Sequence, residues 1–365
     1  MNADREFLSF FPELFDVDFY CGQLHPFDKR KLSNIDAIIN HFCAVGWRQG
    51  VSPSPLFCVH SYRSLHSDEC EKTSFNPLRH WIESGARFCD LGFTQADFVQ
   101  SVADQVIKKP AFAPELLNES PSVAVVLHAF HIDQLKICVN ALSSIPTFFD
   151  IYVSTTSELR EDVSTLLGAL EYLGKKTIRC YYNVGRDMAP FLVGFAPALR
   201  NYDYVLKIHT KKSAHNPALR DWLEISLRSL LGSDWVVQEH WKLLEESSVG
   251  IIRPPPVWAI AFALAKNSCW GYEAKNFYRC SRERGRMGLL DLDPLHPFKF
   301  PAGSMFWCKP GAMRSLFDLN LRWSSFDRES GQIDGTLAHG LERLVGLACT
   351  DIHGFECRSV WPLGV

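Results

Sequence analysis

Four stretches of this 365-residue chain gather side chains that can act on an anionic substrate. In Asn183-Val184-Gly185-Arg186-Asp187 a glycine that permits a tight turn stands beside a guanidinium fork suited to phosphate or carboxylate. Asp187 also falls where a helix N-cap belongs. Lys207-Ile208-His209-Thr210-Lys211-Lys212-Ser213 is a run of cations and hydroxyls, costly to pack unless an anion or solvent meets it. Lys211 and Lys212 are therefore either an anion-binding pair or a solvated loop. Phe300-Pro301-Ala302-Gly303-Ser304-Met305-Phe306-Trp307 carries a Gly-Ser step into an apolar run. In the fourth stretch, Glu329 to Arg343, the pattern from Thr336 to Leu347 is helical, with His339, Glu342 and Arg343 spaced three and four apart around one region of it. Asp334 lies just before that helix, as its N-cap or as a carboxylate aimed into a cleft; both are open at once.

Other chemistries find less support. His128 and His131 sit three apart on an extended segment and have no third ligand nearby, which argues against zinc. Ser154-Thr155-Thr156-Ser157 supplies hydroxyls for a base or ribose, with Thr155 the candidate, or caps a helix. Gly174-Lys175-Lys176-Thr177 is not a P-loop, since Lys176 stands where Ser or Thr should and Gly168 is one residue too far away. No GxGxxG follows a strand and no GxSxG elbow is present. The 38 basic and 41 acidic residues leave a net charge of −3, without the basic excess that a nucleic-acid partner requires. The 12 cysteines are scattered with no CxxC pair, which reads as reduced, mostly buried thiols in a cytoplasm rather than a disulfide framework or zinc knuckle.

The elements that must position these residues alternate. Val123–Leu127, Asp150–Thr155, Ile178–Tyr182, Tyr202–Ile208, Val249–Ile252 and Ser304–Trp307 read as strands. Gln134–Leu142, Leu159–Leu173, Met188–Leu199 and Ala218–Leu231 read as helices between them. The class is α/β, a parallel or mixed sheet covered on both faces, and such sheets bind ligands at the carboxyl ends of their strands. Residues 1–118 differ. Phe15-Asp16-Val17-Asp18-Phe19-Tyr20 recurs loosely as Leu56 to Tyr62 and again near Phe93 to Phe98, with short amphipathic helices closed by Gly46 and Gly85 between them. A period of roughly 40 residues predicts a small all-α repeat region, ended by a Pro-rich linker before a second domain over 119–365. The N-terminus has no signal-peptide pattern, and the best apolar run, Val257 to Ala265, is far short of the ~20 residues that span a bilayer; the expectation is a soluble or peripheral protein.

The four stretches, taken in order, resemble the rhamnan synthesis protein F family, glycosyltransferases of bacterial cell-wall and O-antigen polysaccharide assembly. The N-terminal units are similar to helical repeats attached to bacterial glycosyltransferases. The resemblance implies a GT-A-like domain that binds a nucleotide-diphosphate sugar, with dTDP-rhamnose favoured, and a lipid-linked glycan acceptor at the inner face of the cytoplasmic membrane. Many such enzymes carry Asp-x-Asp after the fourth strand to hold a divalent metal; here that place reads His209-Thr210-Lys211-Lys212, which implies lysines in place of the metal without excluding one. By the same resemblance Asp334 is the catalytic base of an inverting transfer. His128, Thr155, Asn183, Gly185, Arg186, Asp187, His209, Lys211, Lys212, Gly303 and Ser304 bind the donor, and His339, Glu342 and Arg343 line the acceptor side or support it. A sugar-1-phosphate transferase and a non-catalytic glycan-binding subunit are the rival expectations.

Overall fold

The computed structural model of the chain describes residues 15–54, 57–59, 62–63, 66, 76–83, 99–100, 102–110, 121–210, 222–257, 260, 269–271, 274–296, 298–332 and 334–363. They form two compact units, one built chiefly from Met1–Phe98 and the other from Val99 onward.

In the first unit, α1 (Val17–Gln23) starts where the Asp16 carboxylate accepts from Phe19 N, and α2 (Ile35–His41) starts where the Asn34 side chain accepts from Ala37 N. A third helix, α3, covers Pro77–Glu83. Two side-chain pairings in this unit share one geometry. Tyr20 Oη lies 2.7 Å from His41 Nδ1, and Tyr62 Oη lies 2.7 Å from His80 Nδ1. Phe15 tilts against Tyr20 with ring centres 5.0 Å apart, and Phe57 tilts against Tyr62 at 5.3 Å. Gly46 is the last residue of Phe42–Gly46, the helical turn that continues α2, and it also makes room for a ring, since a Cβ there would lie 1.9 Å from the Tyr20 hydroxyl. The left-handed residue that ends the segment is Gly50, at φ +79°. The third copy near Phe93 to Phe98 lies outside the described residues.

The second unit is α/β. Its eight strands are β1 (Gln105–Lys108), β2 (Val123–His128), β3 (Phe149–Thr155), β4 (Leu173–Cys180), β5 (Tyr204–His209), β6 (Val249–Arg253), β7 (Phe306–Cys308) and β8 (Glu356–Leu363), in the order β1-β8-β6-β7-β5-β2-β3-β4. Every neighbouring pair is parallel except the two that β7 makes, which are antiparallel. The near-continuous apolar runs of β2, β3 and β5 suit strands buried on both faces. Val125, Leu127, Ile151, Val153, Leu206 and Ile208 pack with α4 (Ile132–Leu142), α5 (Arg160–Leu167), α6 (Trp222–Leu231) and α7 (Asp234–Glu245). The alternate residues Ala124, Val126, Tyr152 and Val205 pack on the opposite face with Met188–Leu199 and with α10 (Leu337–Leu347), beside α8 (Lys275–Arg279) and α9 (Ser281–Arg286).

Three differences from the sequence reading matter. The unit begins at Val99 rather than residue 119, because β1 pairs with β8 and Asp104 Oδ2 accepts from Ser359 N at 2.8 Å. The helix expected to reach Leu173 ends at Leu167, and β4 starts at Leu173, five residues ahead of the strand expected there. Its Lys175 and Lys176 are exposed on the outermost strand, a pattern that discourages edge-to-edge pairing. Strand β8 and helix α7 have no counterpart among the expected elements. No helix among the described residues is long and apolar enough to cross a membrane.

Candidate functional site

The chain runs from β2 outward through β3 to β4, then returns to place β5 on the other side of β2. The carboxyl ends of β2 and β5 therefore flank a topological switch point, where open α/β sheets leave a crevice. His128 and His209 end these two strands as direct cross-strand partners, and Ser154 of β3 pairs with His128. The row Ser154–His128–His209 thus lies across three strands on the face that α10 covers. Thr155, one residue on, belongs to the other face by the two-residue alternation of a strand. Its buried hydroxyl has no hydrogen-bond partner among the described residues, so the expected Thr155 does not join this cluster.

Below the row sits the first residue of the cationic run, one without a role of its own in the sequence reading. Lys207 is 1% exposed, and its Nζ donates to the Asp187 carboxylate, to Ser304 O at 2.8 Å and to Ser304 Oγ at 2.5 Å. Ser304 Oγ donates in turn to Asp187, closing a triangle. The rings of Phe191 and Phe306 flank the ammonium at 5.6 and 6.0 Å. Desolvation is the largest influence on Asp187 and pushes its pKa up. The charges of Lys207 and His209 and the bonds from Lys207 and Ser304 outweigh it and hold the carboxyl well below its ordinary range. The sequence signal for Lys207 is the period of β5, whose Val205, Lys207 and His209 share one face.

Lys207 ties together two strained turns. Gly185 and Arg186 are both left-handed, at φ +66° and +53°, and so are Gly303 and Ser304, at +86° and +57°. Arg186 and Ser304 carry a steric cost there that glycine would not, a feature that clusters at functional sites. A Cβ on Gly185 would lie 2.4 Å from Phe326, and one on Gly303 would lie 2.4 Å from Trp222, so both positions also need glycine for space. His209 donates from Nε2 to Gly303 O at 2.6 Å, and Gly303 N donates to Glu342 Oε1 at 2.6 Å.

From Glu342 the network passes along α10. Arg343 bonds Glu342 Oε2 at 3.2 Å and His339 O at 3.1 Å, and its Nη2 stands 3.9 Å from Asp334 Oδ1. Arg186 donates from Nη1 to His339 Nε2 at 2.8 Å, from Nε to Glu329 at 3.2 Å, and from Nη2 to Gln332 O. His339 is thus an acceptor at Nε2, and its Nδ1 meets Thr336 Oγ1 at 2.8 Å. Burial, then the Arg186 charge, pushes the His339 pKa down to about 4, which leaves the imidazole neutral at pH 7. His128 is likewise held to about 4, chiefly by burial, with Lys207 and His131 adding to it and Asp187 opposing. Its Nδ1 lies 2.8 Å from Ser154 Oγ.

Asp334 does not cap α10. Thr336 is the N-cap residue, and Leu337 N donates to Asp327 at 2.8 Å. Of the other expected residues, Asn183 is exposed, and Lys211 and Lys212 lie outside the described residues. The expected Gly185, Arg186, Asp187, His209, Gly303, Ser304, Asp334, His339, Glu342 and Arg343 all belong to this one cluster, with His128 at its edge. The described donor set does not suit a divalent metal. Asp187 is committed to Lys207, His209 directs an N–H at a carbonyl, and the cluster is rich in cations.

A profile of rhamnan synthesis protein F matches residues 91–353. Two curated relatives, each called uncharacterized protein WxcX, come from Xanthomonas campestris pv. campestris strains B100 and ATCC 33913. Each is 31% identical over 283 residues, covering 75% of this chain. The chain spans 38% of the length of either relative. Among solved structures, mouse xyloside xylosyltransferase 1 in its apo form aligns at a TM-score of 0.27 and 11% identity, over 56% of this chain and 73% of that one. The chain belongs to the rhamnan synthesis protein F family.

Proposed function

We propose that this member of the rhamnan synthesis protein F family is an inverting glycosyltransferase with a GT-A-like domain. It moves a sugar, with rhamnose favoured, from a nucleoside diphosphate to a growing, lipid-linked cell-surface glycan at the inner face of the cytoplasmic membrane. One observation carries the proposal: four stretches far apart in sequence meet in one hydrogen-bonded cluster beside the switch point of the sheet. On this reading the donor diphosphate lies over His128 and His209, and Lys211 and Lys212, directly after Thr210, neutralise the leaving group. Gly303 and Ser304 shape the sugar pocket. Arg186 holds its turn in place rather than binding the donor, because Glu329, His339 and Gln332 already engage its guanidinium. Asp334, 28% exposed at its side chain, is the base that takes the acceptor hydroxyl proton.

The test is thermal melting of the full chain with a panel of nucleotide sugars, in EDTA and in Mn²⁺. A ligand at 100 times its dissociation constant adds ~2.7 kcal/mol of stability. The expected result is the largest upward shift with dTDP-rhamnose, unchanged by EDTA. No shift with any nucleotide sugar would leave a glycan-binding subunit as the better reading, and a shift lost in EDTA and restored by Mn²⁺ would overturn the role given to the lysines. Phosphorus retained in the product linkage would instead mark a sugar-1-phosphate transferase.

A further inference from the structure

Asp334 is held by residues that no motif in the sequence singles out. Asn276, on α8, is fully buried. Its Nδ2 donates to Asp334 Oδ1 at 2.6 Å and to Trp270 O at 2.9 Å, and its Oδ1 accepts from Gly335 N at 3.1 Å. Both amide protons are engaged, and the oxygen faces a backbone N–H. A flipped amide would set oxygen against a carboxylate and a carbonyl, so the network fixes its orientation. The other carboxylate oxygen, Oδ2, accepts no hydrogen bond among the described residues. It lies against Gly271, at φ +82°, where an added Cβ would stand 2.1 Å away.

We propose that Asn276 is the positioning residue for Asp334, turning Oδ1 inward and leaving Oδ2 as the atom that accepts the proton, with Gly271 providing its space. The inference rests on the reading of Asp334 as the base. In the transfer, the acceptor O–H proton passes to Oδ2 as the acceptor oxygen bonds the anomeric carbon. The bond from that carbon to the diphosphate breaks, and the nucleoside diphosphate leaves with its electron pair. Among the described residues, the charged or titratable groups around Asp334 are Arg343 and His339 on α10 and Lys275, which packs on Gly335 from α8.

Two measurements test the proposal on the full chain. In ¹⁵N-Asn spectra, the Asn276 side-chain amide should be protected from exchange in the wild type and lose that protection in Asp334→Ala. An amide that exchanges as freely in the wild type as an exposed one overturns the proposal without any turnover assay. The second measurement is release of dTDP from dTDP-rhamnose with water as acceptor, over a range of pH. Asn276→Asp should lower turnover at least ~10-fold and move the acid limb of the rate profile upward, because a like charge then faces Asp334. Affinity for dTDP should stay within about twofold, since the change acts on the acceptor side. Gly271→Ala, which keeps the amide, should also lower turnover. In the background of Asp334→Asn, adding Asn276→Asp should cost little more, the mark of two residues acting as one unit. Additive losses, or an unmoved acid limb while Asp334→Asn is inactive, would sink the role of Asn276 alone; normal turnover in Asp334→Asn would sink both readings.

Discussion

In the helical unit a buried tyrosine hydroxyl meets one histidine nitrogen at 2.7 Å, and the same pairing occurs twice. In the sheet unit a buried ammonium meets a carboxylate, a hydroxyl and a carbonyl at once, between two turns that hold non-glycine residues left-handed. The first arrangement joins one tyrosine to one histidine, and it occurs in the same form twice. The second commits charge and strain to one place, which is tolerated where the position of the turns matters more than stability. Buried polarity alone does not mark a site; buried charge shared between a strand and two strained turns does.

Breaking the charged cluster should have the largest effect. Lys207→Met leaves Asp187 buried without its cation, and loss of one partner of a buried pair costs ~3–5 kcal/mol. Urea unfolding should show that loss, and Lys207→Met with Asp187→Asn should recover about half or more of it. If the double variant is no better than the single, the ammonium is held mainly by Ser304 and the rings.

The Asp334→Asn exchange separates chemistry from scaffold. Thr336 and Asp327 serve the start of α10, so the helix does not need the Asp334 charge, and Asn can still accept from Asn276. Turnover should fall at least ~100-fold, within the 10²–10⁴ range of a general base, with melting temperature and dTDP affinity retained. A melting temperature that falls along with turnover would assign Asp334 to the scaffold.

The regular part of this contrast is open to sequence reasoning. The strands β2, β3 and β5 are long apolar runs, and the motifs after them fall on the sheet's carboxyl edge, as the alternation with helices requires. Strand β8 is hidden because Glu356, Arg358 and Pro362 break its apolar pattern, and β1 because Gln105–Lys108 is short and runs into Lys109-Pro110. Lys207 is easily passed over inside a strand that reads as apolar, although its period-two relation to His209 is in plain view. Asn276 has no such signal: it lies 58 residues from Asp334, and only the packing of α8 beside α10 brings them together. Thr155 misses the cluster by one residue, and in a strand one residue is the opposite face.

Acid should sharpen the difference between the units. Burial holds His128, His240 and His339 down to about 4 in the sheet unit, against an ordinary value of 6.5. Below about pH 6.5 the unfolded chain takes up protons that the folded unit refuses. Stability is therefore full above that pH and falls as pH drops toward 4, by up to ~1.4 kcal/mol per pH unit for each histidine. Asp187 acts in a lower window: its contribution is present above the ordinary aspartate value near 3.9 and is lost as pH falls through its depressed one. Hydrogen exchange of β2 and β5 should quicken between pH 7 and pH 5, after correction for the intrinsic rate. Corrected rates that stay flat would show that these imidazoles protonate within the fold.

The smallest effects belong to the helical unit, where each tyrosine–histidine pair contributes one hydrogen bond. Tyr62→Phe should cost about 1 kcal/mol, the usual net worth of one hydrogen bond, and leave dTDP affinity unchanged. Gly46→Ala beside the other pair should cost more, ~1–3 kcal/mol, because its methyl meets the Tyr20 hydroxyl and the site must overpack or shift. Combining Gly46→Ala with Tyr20→Phe removes the oxygen at 1.9 Å and leaves the ring carbon at 3.0 Å as the nearest atom. The pair of changes should then cost less than the sum of the two alone, a coupling readable in a double-mutant cycle of unfolding free energies. Simple additivity would mean that the hydroxyl moves aside without strain, and the glycine would need another explanation.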